Sequence, residues 1–130
     1  MALDGTQNSA AGKISSDRRA AAAGDAVIVS VTAPEAAAGQ LAELILTQQL
    51  GACVQIIPGV VSVFRWDGQV QREAEQLLLI KTSRQAVHGL EQLVIEHHPY
   101  EVPEFLVTAV MDGEPRYLDW IRESTGFPQI

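Results

Sequence analysis

Asp67-Gly68 splits thirty residues, CVQIIPGVVSVFRWDGQVQREAEQLLLIKT, into two long β-rich arms. Both central positions of a type I′ turn need positive φ, which is why Asn-Gly and Asp-Gly dominate two-residue hairpins. Such a turn leaves no freedom of register. It predicts Trp66 opposite Gln69, Phe64 opposite Gln71 and Ser62 opposite Glu73 on one face, with Arg65 opposite Val70 and Val63 opposite Arg72 on the other. Pro58-Gly59 interrupts the first arm, and a residue without an N–H fits a bulge or an edge. Near the tip Phe64 and Trp66 stand beside Gln and Glu. A small domain has little with which to cover them, so they point to an oligomer interface; the alternative is a pair of aromatics half-covered within the monomer.

The flanking segments supply the other layer. In DAVIVSVTAPEAAAGQLAELILTQQLGAC, the run Val27–Val31 reads as a strand, Thr32 and Glu35 have capping-box spacing, and Ala37, Leu41, Leu44 and Ile45 form a helical stripe that ends at Gly51 as a left-handed stop. Ser83 is read as the cap of a second helix with Val87, Leu90, Leu93 and Val94 on its buried side, and Pro99 forbids its continuation. A strand region over Phe105–Val110 and a short amphipathic helix carrying Tyr117, Leu118, Trp120 and Ile121 complete the chain. The order βαβ, βαβ, helix predicts an α+β fold: a ferredoxin-like split βαβ sandwich with a long β-hairpin and a short C-terminal helix. Residues 25–130 are expected to form this single domain. Residues 1–24, rich in Ala, Gly, Ser and Asp, are expected to be a disordered tail without the apolar core of a signal peptide.

Nine Lys and Arg against sixteen Asp and Glu leave a net charge of -7, and no basic stripe offsets it, which argues against a nucleic-acid partner. No apolar run reaches the ~18–20 residues of a membrane span. Cys53, the single cysteine, lies in the apolar context GACVQII and reads as a small buried hydrophobe. A cytoplasmic protein without disulfides is expected.

Chemistry concentrates in HHPYEVPEF, residues 97–105. Adjacent histidines on a helix point about 100° apart, so one faces outward, and His97 continues the stripe of Leu90, Leu93 and Val94. Donors near them are Glu101 and Glu104, yet no C-x-x-C or paired H-x-x-x-H spacing marks a closed structural metal site. Glu73 and Glu75 share one face of a strand that also carries Lys81; a solvated or interface-lining face is the plainer reading of this trio. With no G-x-S-x-G, phosphate loop or dinucleotide fingerprint, an enzyme is not expected.

Several separated motifs in order, TAP after the first strand, ACVQIIPGV, FRWDG followed by Glu73-x-Glu75 and LLLIKT, HHPYEVPE and YLDWI, strongly resemble the CutA divalent-cation-tolerance family over residues 26–123. The resemblance implies a tight homotrimer in which the long hairpins extend strands between neighbours. It further implies a role in metal homeostasis with Cu(II) or another divalent cation as cofactor, held by His97 and His98. The family cysteine that shares this role falls on Val31 here, and Cys53 matches a different cysteine, in the AC-x-x-x-IPG motif. The fold and trimer also look like those of the PII signalling proteins, which bind effectors between subunits. That alternative places a small ligand in a cleft lined by Trp66, Glu73, Glu75, Lys81 and Tyr100. A third reading is a trimeric interaction module.

Overall fold

The computed structural model describes residues 25–126. Their elements are β1 (Ala26–Ala33), α1 (Glu35–Thr47), β2 (Cys53–Trp66), β3 (Gln69–Ser83), a 3-10 turn (Arg84–Ala86), α2 (Val87–His97), β4 (Leu106–Ala109) and α3 (Pro115–Ser124). The strands form one sheet in the order β2-β3-β1-β4, antiparallel throughout. Each βαβ unit therefore straddles a strand of the other, the split arrangement expected of a ferredoxin-like fold. The tail expectation for residues 1–24 lies outside the described residues.

Alternation sets the layers. Val27, Val29, Val31 and Ala33 of β1 and Leu78 and Ile80 of β3 point to the helical side, where they pack with Leu41 and Ile45 of α1 and Leu90 and Val94 of α2. The opposite face is covered at one end by α3, whose Leu118 and Ile121 close over Ala26. Thr125, just beyond α3, ties this helix down by bonding Ser83 Oγ at 2.9 Å. Glu114 caps α3, its carboxylate accepting from the Tyr117 amide at 3.0 Å.

The hairpin register matches the sequence expectation pair by pair. Asp67 and Gly68 both have positive φ (53° and 78°), and the ladder shifts between Ile57 and Val60, where Gly59 takes φ 76°. β1 pairs with β3 only as far as Ala33 opposite Gln76. From Glu75 outward, β2 is the sole partner of β3 among the described residues, so the four-stranded sheet steps down to a two-stranded ribbon.

Three local readings are corrected. No capping box forms at Thr32: β1 runs on through Ala33, Pro34 is the N-cap without a side-chain bond, and the Pro34 carbonyl accepts from the Ala37 and Ala38 amides at 2.9 and 3.1 Å. Ser83 does not cap α2 either, because it is the buried end of β3 and a 3-10 turn intervenes. The helix-ending residue in the left-handed region is Gln49 (φ 60°), not Gly51. The Leu50 amide bonds Ile45 O and the Gln49 amide bonds Leu46 O, each at 3.0 Å, a Schellman closure. Gly51 is needed for close approach, since a Cβ there would lie 2.8 Å from Ile45 Cγ2 and 3.0 Å from Ile80 Cγ2.

These two neighbours are therefore expected to respond oppositely in urea denaturation at fixed protein concentration. Gln49→Gly relieves the left-handed strain and raises stability by about 0.5–1 kcal/mol after its cost in unfolded-chain entropy. Gly51→Ala overpacks the α1–β3 contact and lowers it by roughly 1–3 kcal/mol.

Candidate functional site

Pro99 decides where the histidine pair goes. The residue before a proline is pushed out of the helical region. His98 accordingly ends α2 with φ −78° and ψ 140°, its amide still bonding Val94 O at 2.8 Å. That turn swings the His98 ring inward to the end of β1, and the side chain is only 7% exposed. Its Nε2 lies 2.7 Å from Thr32 O, and its Nδ1 accepts the Tyr100 amide at 3.0 Å. A carbonyl oxygen only accepts and an amide N–H only donates, so the imidazole carries its proton on Nε2 and both ring nitrogens are engaged. His97 does not continue the buried stripe: it is exposed.

This arrangement does not fit a Cu(II) ion shared by the two histidines. Ligation needs a free imidazole lone pair, and the one His98 has is given to Tyr100. Among the described residues, no group of three or more His, Cys, Asp or Glu converges to hold a metal ion.

The same inward turn builds a different site. The His98 ring stacks obliquely on Tyr100, with centroids 4.8 Å apart, and the segment through Glu104 forms a wall facing the hairpin ribbon. Between them lies a groove of about 950 Å³. Phe64 and Trp66 line its outer part, and Thr32, Glu73, Glu75, Tyr100, Glu101 and Glu104 are among the residues of the rest. Among the described residues, four carboxyl groups thus face it, and none of its lining is Lys, Arg or His.

Glu75 is the focus. It sits where β1 gives out, is 6% exposed, and leaves one carboxylate oxygen, Oε2, without a hydrogen-bond partner among the described residues. Tyr100 is held above the ordinary phenol range by burial first, then by its hydrogen bond to Glu75 and the charges of Glu75 and Glu73. Burial and the charge of Glu75 likewise push the Glu104 carboxyl above its usual range. A partly dry, negative groove produces both shifts.

Of the expected cleft residues, Trp66, Glu73, Glu75 and Tyr100 meet here. Lys81 does not line the groove. It stands six residues further along β3, opposite Ile28 and Cys53, where its Nζ bonds Gln55 Oε1. Thr32, Ser62 and Gln71 also line the groove, and sequence reasoning had no signal for them beyond the hairpin register, which puts Ser62 and Gln71 on the face of Trp66 and Glu73.

A ferredoxin-like subunit with an acidic groove at the step between its sheet and a projecting hairpin is the class of protein these features define. Residues 27–124 match the model of the family described as CutA1 divalent ion tolerance protein, and the chain belongs to that family. It is 42% identical over 100 residues to the divalent-cation tolerance protein CutA of Thermus thermophilus, covering 76% of this chain and 97% of that one. A chloroplastic CutA of Arabidopsis thaliana is 41% identical over 76% of this chain, which spans 55% of the plant protein. Among solved structures, the Thermus thermophilus protein superposes with a TM-score of 0.76 at 41% identity, covering 78% of this chain and 99% of that one. A PII-like protein CutA from Nostoc, in apo form, gives 0.73 at 35% identity, covering 76% and 96%.

The raised Glu104 carboxyl sets a sign. Below the ordinary carboxylate range Glu104 is protonated whether the chain is folded or not, and Gln differs little from it. As pH rises through the raised folded value, the folded protein must accept a charge against burial and Glu75, so wild-type stability falls relative to Glu104→Gln. Thermal melts should therefore show the variant more stable at pH 8 and equal to wild type near pH 3.

Proposed function

We propose that this chain is a cytoplasmic, PII-like sensor within the divalent-cation tolerance family: a homotrimer that binds a small ligand in the groove beside its hairpin. The observation that carries the reading is Glu75, a buried carboxylate that lines the groove and whose Oε2 has no hydrogen-bond partner among the described residues. Leaving such a group unpaired costs about 1–3 kcal/mol or more, a cost that persists where binding needs the group. Assembly follows from the ribbon. Val61 is 59% exposed and Val70 71%, and a two-stranded ribbon is at best marginally stable by itself. Neighbouring copies would cover the apolar surface and close the groove on its open side.

Light scattering should give a mass near three times the 14.0 kDa subunit. Val70→Lys, on the ribbon face away from Glu75 and outside the groove lining, should break the assembly. A thermal-shift screen of nucleotides, amino acids, organic acids, amines and divalent ions should return at least one ligand whose effect disappears in Glu75→Gln. A monomeric wild type, or a screen with no hit, would remove this reading.

The second reading is Cu(II) binding for metal homeostasis. It is supported by the family's tolerance to divalent cations and by His97, exposed on the last turn of α2. His98 could join only by releasing the Tyr100 amide from Nδ1. Calorimetric titration is expected to give weak Cu(II) binding that His97→Ala abolishes, whereas His98→Ala mainly lowers the melting temperature. Tight, stoichiometric binding lost in both variants would restore the paired site.

A further inference from the structure

We propose that the groove's ligand is an organic polycation, an elongated alkyl polyamine whose terminal ammonium docks on the free oxygen of Glu75. The inference rests on the groove being the sensing site and goes further in assigning the chemistry it reads.

Charge gives the sign. A groove faced by Glu73, Glu75, Glu101 and Glu104, with no cation among its described lining residues, repels phosphates and carboxylates and concentrates cations. The negative potential is felt inside it, since Glu75 acts on both Tyr100 and Glu104.

Spacing separates a polyamine from a metal ion. Glu73 and Glu75 are alternate residues of β3, so their Cα atoms lie about 7 Å apart, and the described carboxylates do not converge on one point. A small ion needs convergent donors, whereas a chain with separated ammonium groups can meet them one at a time.

The floor selects among organic cations. Oε2 of Glu75 is a buried carboxylate oxygen without a hydrogen-bond partner among the described residues. A recessed oxygen is reached more readily by the compact point donor of an ammonium than by a planar guanidinium fork. Further out on the same ribbon face come Ser62 opposite Glu73, Phe64 opposite Gln71 and Trp66 opposite Gln69. From Val60, opposite Glu75, to Trp66 the face runs six residues, roughly 20 Å, with aromatic rings at its outer end. Methylene segments can lie along that face, and an outer ammonium finds an aromatic face at Trp66.

The test is calorimetric titration of the full chain with spermidine, ADP, citrate and MgCl2, at low and high salt. Spermidine is expected to bind saturably and more weakly as salt rises. Glu75→Gln should weaken it on the order of tenfold, and Trp66→Ala roughly two- to fivefold. Glu73→Gln, at an exposed carboxylate, gives a second charge variant whose loss should be smaller than that of Glu75→Gln. Glu75-dependent binding of ADP or citrate in place of spermidine would overturn the polyamine while leaving the sensor intact. Magnesium bound in the groove with spermidine excluded would overturn it in favour of a metal. Spermidine binding that ignores both glutamates would overturn it by moving the site elsewhere. If none of the probes binds and the broader screen is also empty, the sensor reading falls with it.

Discussion

Most of this molecule hangs on β3. Along its inner half it is hydrogen-bonded on both sides, to β1 from Gln76 to Ser83 and to β2 from Leu77 to Lys81. Leu78 and Ile80 face the helices there, and both are fully buried. Its outer half keeps only β2. One continuous strand is thus central core at one end and unsupported ribbon at the other, and the groove lies at the junction. Glu75 is the first residue of β3 past the reach of β1. The backbone around it is still fixed by the hairpin, while the lateral neighbour that would have filled the space is gone.

The His98–Glu104 segment fills that step only partly, and does so through backbone chemistry. Pro99 turns His98 out of the helix, the imidazole bridges Thr32 O and the Tyr100 amide, and Tyr100 then lines the groove with Glu75. A histidine that joins two backbone groups is a structural strut, and its removal would loosen the wall without touching a ligand. Its buried, doubly bonded state accounts for a pair of histidines that share one helix end and have separate roles.

Electrostatically the groove runs against the economy of a small domain. Burial and then the charge of Glu75 raise the affinity of Glu104 for protons, and Tyr100 is shifted the same way, so holding Glu104 ionised at neutral pH opposes folding. Such an arrangement is favourable only when an opposite charge enters. A second copy of the subunit and a cationic ligand are both consistent with that requirement, one closing the recess and the other neutralising it.

How much was legible in the sequence varied with the range of the forces involved. Asp67-Gly68 imposed positive φ at two adjacent positions, so the hairpin register, the shared face of Trp66 and Glu73, and the bulge at Pro58-Gly59 followed from local sterics. The helical stripes and the α+β order followed from periodicity. Helix ends were less legible, because Thr32, Ser83 and Gly51 carry the usual signals but tertiary pairing claimed them: Thr32 and Ser83 for strands, Gly51 for the space against Ile45 and Ile80. Which histidine faces inward could not be read from helical spacing, since the stripe points to His97 and the proline reverses the choice one residue later. Lys81 was grouped with the glutamates because strand neighbours look close in sequence, yet six residues of extended chain separate it from Glu75. Whatever depends on φ, ψ and side-chain period is thus written locally along the chain. That β1 stops short of Glu75 and that residues 98–104 return there is set by packing between distant segments, which fixes loop landing points and strand overhangs.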